Sequence, residues 1–191
     1  MGPDAPTLCT GWVTRDLAAH LIVRERRPDA AAGIVLRRLH GHMERVRTRV
    51  AARPYDKLVD DVRRPPWWSM SGMPPVDALV NTTEFFVHHE DIRRAQPDWS
   101  PRELRPDLET ALWRQLRRVA KLGLRRFPAA VVLTSPGYGE LSAGAGGPEL
   151  RVSGPPGELT IFLSGRQRAA HVELDGPEPL VERLRRARLG V

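Results

Sequence analysis

The sequence predicts an α+β protein in two parts, a mostly helical bundle over residues 1–127 and a small α+β module over residues 128–191. Three observations predict it. Before Phe127, apolar residues recur at helical spacing in four segments separated by loops, the pattern of a bundle. After Phe127, short strand-like runs bounded by Gly and Pro take over, with helical runs between and after them. The length of 191 residues, with 41% hydrophobic and 28% charged residues, suits one medium domain or a domain with a small appendage.

The first helix is predicted in "GWVTRDLAAHLIVRERR". Thr14 is a good N-cap, and Asp16 in the first turn suits the helix dipole. Leu17, His20, Leu21 and Arg24 follow at i, i+3, i+4 and i+7, which puts His20 on the apolar stripe. Pro28 is compatible with the end of the helix. The second helix is predicted over residues 31–53, with Val35, Leu39, Met43, Val46 and Val50 as its buried stripe and Pro54 closing it. "YDKLVDDV" can add a short helix. "RRPPWWSMSGMPP", with four prolines and a glycine, reads as irregular, and Trp67 and Trp68 there pack on the core or rim a pocket. The third helix is predicted from Val76 to Ala95 and the fourth from Pro106 to Leu124, with Leu108, Leu112, Leu116 and Val119 facing inward.

In the second part, "AAVVLTS", "ELRVSG" and "AAHVELDG" read as strands and "GYGELSAGAGGPE" as turn and loop. "PPGELTIFLSG" starts a helix, since Pro156 suits the first helical position and Glu158 the first turn, and "EPLVERLRRARL" is a terminal helix.

Composition narrows the function classes. No apolar run approaches the ~20 residues of a membrane span. The N-terminus lacks the basic and apolar regions of a signal peptide. The lone Cys9 cannot form an internal disulfide, and the expected compartment is the reducing cytoplasm. The net charge of +7 invites a nucleic-acid reading. However, Lys57 and Lys121 are the only lysines, and the arginines are scattered along the helices in the manner of a GC-rich genome. Clustering is the diagnostic feature, so nucleic acid is not the expected partner.

The densest concentration of ligand-type side chains is "NTTEFFVHHEDIRRA", which holds Glu84, His88, His89, Glu90 and Asp91. On a helix, Glu84 and His88 stand one turn apart on one face. With His20 from the inward stripe of another helix they would make a two-imidazole, one-carboxylate set, which suits Zn²⁺ with an open fourth position and could also hold Ni²⁺ or Fe²⁺. The competing reading is a core histidine satisfied by a carboxylate and a Glu84–His88 surface ion pair. Asp91, three residues from His88, is either a group orienting the imidazole or an exposed charge. His89 and Glu90 are expected in solvent. His40, His42 and His171 have no evident partner. Cys9 reads as a small buried hydrophobe near Trp12 rather than a nucleophile.

"LCTGWVTRDLAAHL" followed by "EFFVHHED" resembles the DinB-like helical-bundle metalloproteins, and more narrowly the branch of mycothiol-dependent maleylpyruvate isomerase, in an actinobacterial subgroup. Gly11, Trp12, Asp16, Leu17, His20 and Leu21 match the motif that supplies one metal histidine. Glu84, His88 and Asp91 match the motif that supplies the carboxylate and second histidine. "RVSGPPGELTIFLSGRQRAAHVELDGP" is similar to the small C-terminal domain of these proteins, so the resemblance covers almost the whole chain. Family members carry a full helix before the "LCxGW" segment. This chain begins a few residues upstream of it, so that first helix is expected to be missing here: either the true start lies further upstream, or the sequence is truncated, or this member has lost the helix.

The resemblance implies a metal-dependent enzyme linked to a low-molecular-weight thiol, mycothiol, acting as transferase or isomerase on a small electrophile. His20, Glu84 and His88 would hold the metal, with Arg166 in "SGRQ" as a candidate for an anionic substrate group. The alternative is a non-catalytic, metal-stabilised protein that binds a ligand or partner. A homo-oligomer is compatible with either.

Overall fold

The computed structural model describes residues 1–27, 29–30, 36–64 and 76–190. Among the described residues there are seven α-helices and a four-stranded mixed sheet, an α+β fold. The chain divides into two compact units, Met1–Asn81 with His88–Trp99, and Thr82–Val87 with Ser100–Val191. This grouping differs from the expected division between residues 127 and 128, because helix Pro106–Gly123 goes with the sheet.

In the first unit, α1 spans Thr14–Arg26 and packs on α2 (His40–Ala51) and α3 (Tyr55–Arg63). Thr14 is not the N-cap of α1. Val13 holds that position, and the Asp16 carboxylate accepts from the Val13 N–H at 3.1 Å, so the acidic residue satisfies an orphan donor. The Thr14 hydroxyl instead donates to Ala5 O at 3.0 Å. Leu17, His20 and Leu21 are buried, as their spacing predicts.

The second helix is shorter than its apolar spacing suggests. A 3-10 turn, Arg37–Leu39, precedes it, and Leu39 is 38% exposed. Residues 31–35, including Val35 of the expected stripe, lie outside the described residues, as do Trp67 and Trp68. Met43 and Val46 are buried with Val23 and Ala30, and Val50 packs against them. Arg26 closes the end of α3 by donating to Asp61 O at 3.0 Å and Arg64 O at 2.8 Å. Helix α4, Val76–Arg93, passes through both units.

In the second unit, α5 is Pro106–Gly123, with Pro106 at its first turn and Asp107 and Glu109 beside the positive end of the dipole. The strands are β1 (Ala130–Ser135), β2 (Gly139–Ala143), β3 (Glu149–Ser153) and β4 (Glu173–Asp175), in spatial order β2-β1-β3-β4. β1 is antiparallel to β2 and parallel to β3, and β3 is antiparallel to β4. Strand β2 falls inside the stretch expected to be loop. Its sequence GELSA has poor strand propensity, and Leu141 is its one buried residue. Pairing with β1 holds it in place, through a turn with Pro136 and Gly137 at its centre and Gly137 at φ 81°.

From β2 the chain passes under the start of β1 to enter β3. Ala145 N–H donates to Phe127 O at 2.9 Å, and Ala130 N–H to Pro148 O at 3.0 Å. Gly144 is required there. Its φ is 101°, and a Cβ would stand 2.1 Å from Ala129 O. The inward face of the sheet (Val131, Leu133, Leu150, Val152) buries against α5 residues Leu116 and Ala120, and against Leu159, Phe162 and Leu163 of α6 (Pro156–Leu163). Val181 and Leu184 of α7 (Glu178–Arg185) complete that core. The opposite face is polar, where Arg151 pairs with Glu140 and Glu149. Among the described residues no helix is long and apolar enough to cross a membrane.

Candidate metal centre

The site begins with a tight turn. Trp12 N–H donates to Cys9 O at 3.0 Å, and Gly11 in the third position adopts φ 77°, a conformation that favours glycine. The Thr7 hydroxyl donates to Trp12 O at 2.7 Å and fixes the turn from the other side. The segment is tied to α4, where Leu8 N–H donates to Asp91 O at 3.0 Å. These contacts set Trp12 over α1 and the Cys9 thiol beside α4.

Trp12 lies between two side chains. Its ring is 5.2 Å from the His20 ring on one hand, and the Arg47 guanidinium is 4.7 Å from its centroid on the other. Arg47 is buried and donates to Asp16 at 2.6 Å and to Glu44 at 2.9 Å. Burial opposes its charge, but the bonds it donates to Glu44 and Asp16 outweigh that and raise its pKa above the ordinary arginine value. Asp16 thus caps α1 and anchors the cation that backs Trp12.

The ligand-type atoms of His20, Glu84 and His88 lie within 4.8 Å of one another. The His20 and His88 rings meet edge to face, 5.2 Å between centroids. Asp91 is fully buried, and its Oδ2 accepts from His88 Nδ1 at 2.9 Å. That bond fixes the tautomer with the proton on Nδ1 and assigns Nε2 as the ligand atom of His88, the usual arrangement behind a metal-bound imidazole.

A second group, Cys9, His88 and Asp91, also falls within 4.8 Å. Its members are already bonded to one another, since the Cys9 thiol donates to the same Asp91 Oδ2 at 3.2 Å. Asp91 therefore acts as a double acceptor, and the first group is the better fit to a divalent ion. Two borderline imidazole ligands and a carboxylate from two helices match the ligand chemistry of such an ion.

His89 is exposed, its side chain 59% accessible, and lies 3.7 Å from Glu90. Glu90 is not in solvent. It is 1% exposed and accepts from Arg94 Nε at 2.7 Å and Arg93 Nη2 at 3.0 Å. Arg94 is itself buried and stacks over Trp99 at 4.9 Å. Helical periodicity turned Glu90 away from the ligand face, but that face is also covered. The i,i+4 spacing of Glu90 and Arg94 was the available signal. Cys9 is half-buried as a small residue near Trp12, but its bond to Asp91 was not visible in the sequence.

Among the remaining candidates, His42 Nε2 sits 3.3 Å from Asp29 Oδ2. Arg27, then His42, hold that exposed carboxyl well below the usual carboxylate range. His40 is exposed, and His171 donates its backbone N–H to Glu158 Oε2 at 2.7 Å. Arg166 lies in the second unit after α6, with its guanidinium donating to Ser164 O. No protein-family model, curated protein or solved structure matches the chain.

Proposed function

We propose that the protein is a metal-dependent enzyme that uses a low-molecular-weight thiol, mycothiol in the resembling family, to transfer to or isomerise a small electrophilic molecule. The observation that carries this reading is the convergence of His20, Glu84 and His88 with Asp91 behind His88. These three residues would hold a divalent ion such as Zn²⁺, which would lower the pKa of a bound thiol or water and so supply a nucleophile near neutral pH.

The chain's own contributions follow from the geometry. His88 is held by Asp91 with Nε2 presented to the ligand group, and its ring orientation is fixed before any ligand arrives. Trp12, backed by Arg47, forms an apolar wall on His20. The two residues best placed in sequence to supply a fourth protein ligand are otherwise disposed, His89 being exposed and Asp91 engaged by His88 and Cys9. A three-ligand set favours the catalytic reading over a purely structural metal.

The test uses Co²⁺ as the probe metal. Adding a low-molecular-weight thiol to the Co²⁺-loaded protein should produce a sulfur-to-cobalt charge-transfer band, absent in the His20→Ala variant. A Co²⁺-loaded wild type whose spectrum does not respond to thiol would refute the thiol-linked reading while leaving metal binding intact.

A further inference from the structure

The second unit carries a cleft of about 440 Å³ between the end of α5 and the segment around and beyond the end of α7. Four arginines line it (Arg126, Arg183, Arg186 and Arg188), together with Phe127 and Leu189. The arginines are exposed, whereas Phe127 and Leu189 are buried, so the mouth is cationic and the floor apolar. Among the described residues no carboxylate side chain lines the cleft. Glu182, nearby on α7, accepts from Arg185 at 3.0 Å and from Arg186 at 3.1 Å. Among the described residues, Arg126, Arg183 and Arg188 have no carboxylate partner, in contrast to Arg47, Arg94 and Arg151.

The wall is fixed to the fold. Gln167 Nε2 donates to Ala187 O at 2.6 Å, and Gly165 and Gly190 let the terminal segment approach the end of α6, where a Cβ on Gly165 would stand 2.4 Å from Leu189 O. On the other side, Phe127 N–H donates to Leu124 O at 2.8 Å in the turn that ends α5.

From this arrangement we infer that the cleft binds a small molecule carrying a diphosphate or an equivalent pair of phosphoryl groups. Like charges around a concavity repel one another and focus a positive potential in it, and a multiply charged anion relieves that repulsion. Guanidinium forks match phosphate oxygens in bidentate geometry. The volume lies in the ~300–1,000 Å³ range of small-molecule sites, and the Phe127–Leu189 floor suits the face of a ring attached to the phosphates. This site is separate from the residues of the thiol-linked reading and does not depend on it.

Calorimetric titration of the full chain, freed of metal, tests the inference with inorganic pyrophosphate and adenosine diphosphate as probes. Both should bind saturably at one site per chain, with adenosine diphosphate the tighter of the two. The variant carrying Arg126→Gln, Arg183→Gln and Arg188→Gln should bind at least tenfold more weakly at an unchanged melting temperature. Arg45→Gln, an exposed change in the other unit, should leave affinity intact. The single Arg183→Gln change, with roughly threefold loss expected, serves if the triple variant does not fold. Absence of saturable binding at millimolar probe, or equal affinity in the arginine variants, would overturn the inference. So would a single-stranded RNA oligomer that binds tightly and is not displaced by adenosine diphosphate, since that would make the arginines a nucleic-acid surface.

Discussion

Replacing Asp91 by alanine removes the acceptor shared by His88 Nδ1 at 2.9 Å and the Cys9 thiol at 3.2 Å. Asp91 is fully buried, so water does not take its place at the surface. A hydrogen bond to a charged acceptor contributes ~1.5–3 kcal/mol, and the thiol is the weaker donor of the two. Together the losses come to about 2–4 kcal/mol. The backbone bond from Leu8 to Asp91 O survives the substitution, which keeps the N-terminal segment attached. For a chain of this size the loss corresponds to a fall in melting temperature of roughly 5–15 °C.

The effect on metal should be separable from the effect on stability. Loss of the group that orients a ligating imidazole typically weakens metal affinity by ~10–100-fold without abolishing binding. Competition between the protein and a chromophoric chelator measures this below the melting transition. Asp91→Asn, which keeps the shape and one acceptor oxygen, should fall between wild type and Asp91→Ala in both measurements. If Asp91→Ala were destabilised as expected but bound metal within twofold of wild type, Asp91 would be a structural acceptor for Cys9 and His88 and not a positioning residue for a metal ligand.

Other substitutions probe the parts of the fold that support the site. Glu90→Ala breaks the buried Glu90–Arg94 ion pair and should cost ~3–5 kcal/mol in denaturant unfolding, far more than an exposed glutamate would; a change below 1 kcal/mol would mean that the pair is solvated. Gly144→Ala combines a positive φ with a Cβ 2.1 Å from a backbone oxygen, and should destabilise the second unit by several kcal/mol, read as lost amide protection in β1 and β3. Arg47→Gln removes the cation behind Trp12 and should redshift and quench-shift tryptophan emission while lowering stability by ~1–3 kcal/mol; unchanged emission and stability would show that the Arg47–Trp12–His20 stack is not formed in solution.

Much of the first unit was legible because helical periodicity and burial agree there. The i, i+3, i+4, i+7 spacing of Leu17, His20, Leu21 and Arg24 placed His20 among buried neighbours, and the spacing of Glu84, His88 and Asp91 placed them along one side of α4. What was not legible depended on partners distant in sequence or on competition between local preferences. Glu90 looked solvent-facing until Arg94 and Trp99 covered it. The Cys9 contact needed the Gly11 turn and the Leu8 bond to α4, neither of which has a period. Thr14 has the better cap side chain, yet Ala5 O takes its hydroxyl and Asp16 caps from within the helix. Strand β2 has the composition of a loop and owes its conformation to β1.

Whether His20, Glu84 and His88 hold a divalent metal is decided by elemental analysis of the purified protein beside its His20→Ala variant. The wild type should carry close to one equivalent of metal per chain, removable by chelator and restored by Zn²⁺, and the variant at least tenfold less. Equal metal content in the two proteins, or a folded wild type that takes up no Zn²⁺ on reconstitution, would contradict metal binding by these three residues.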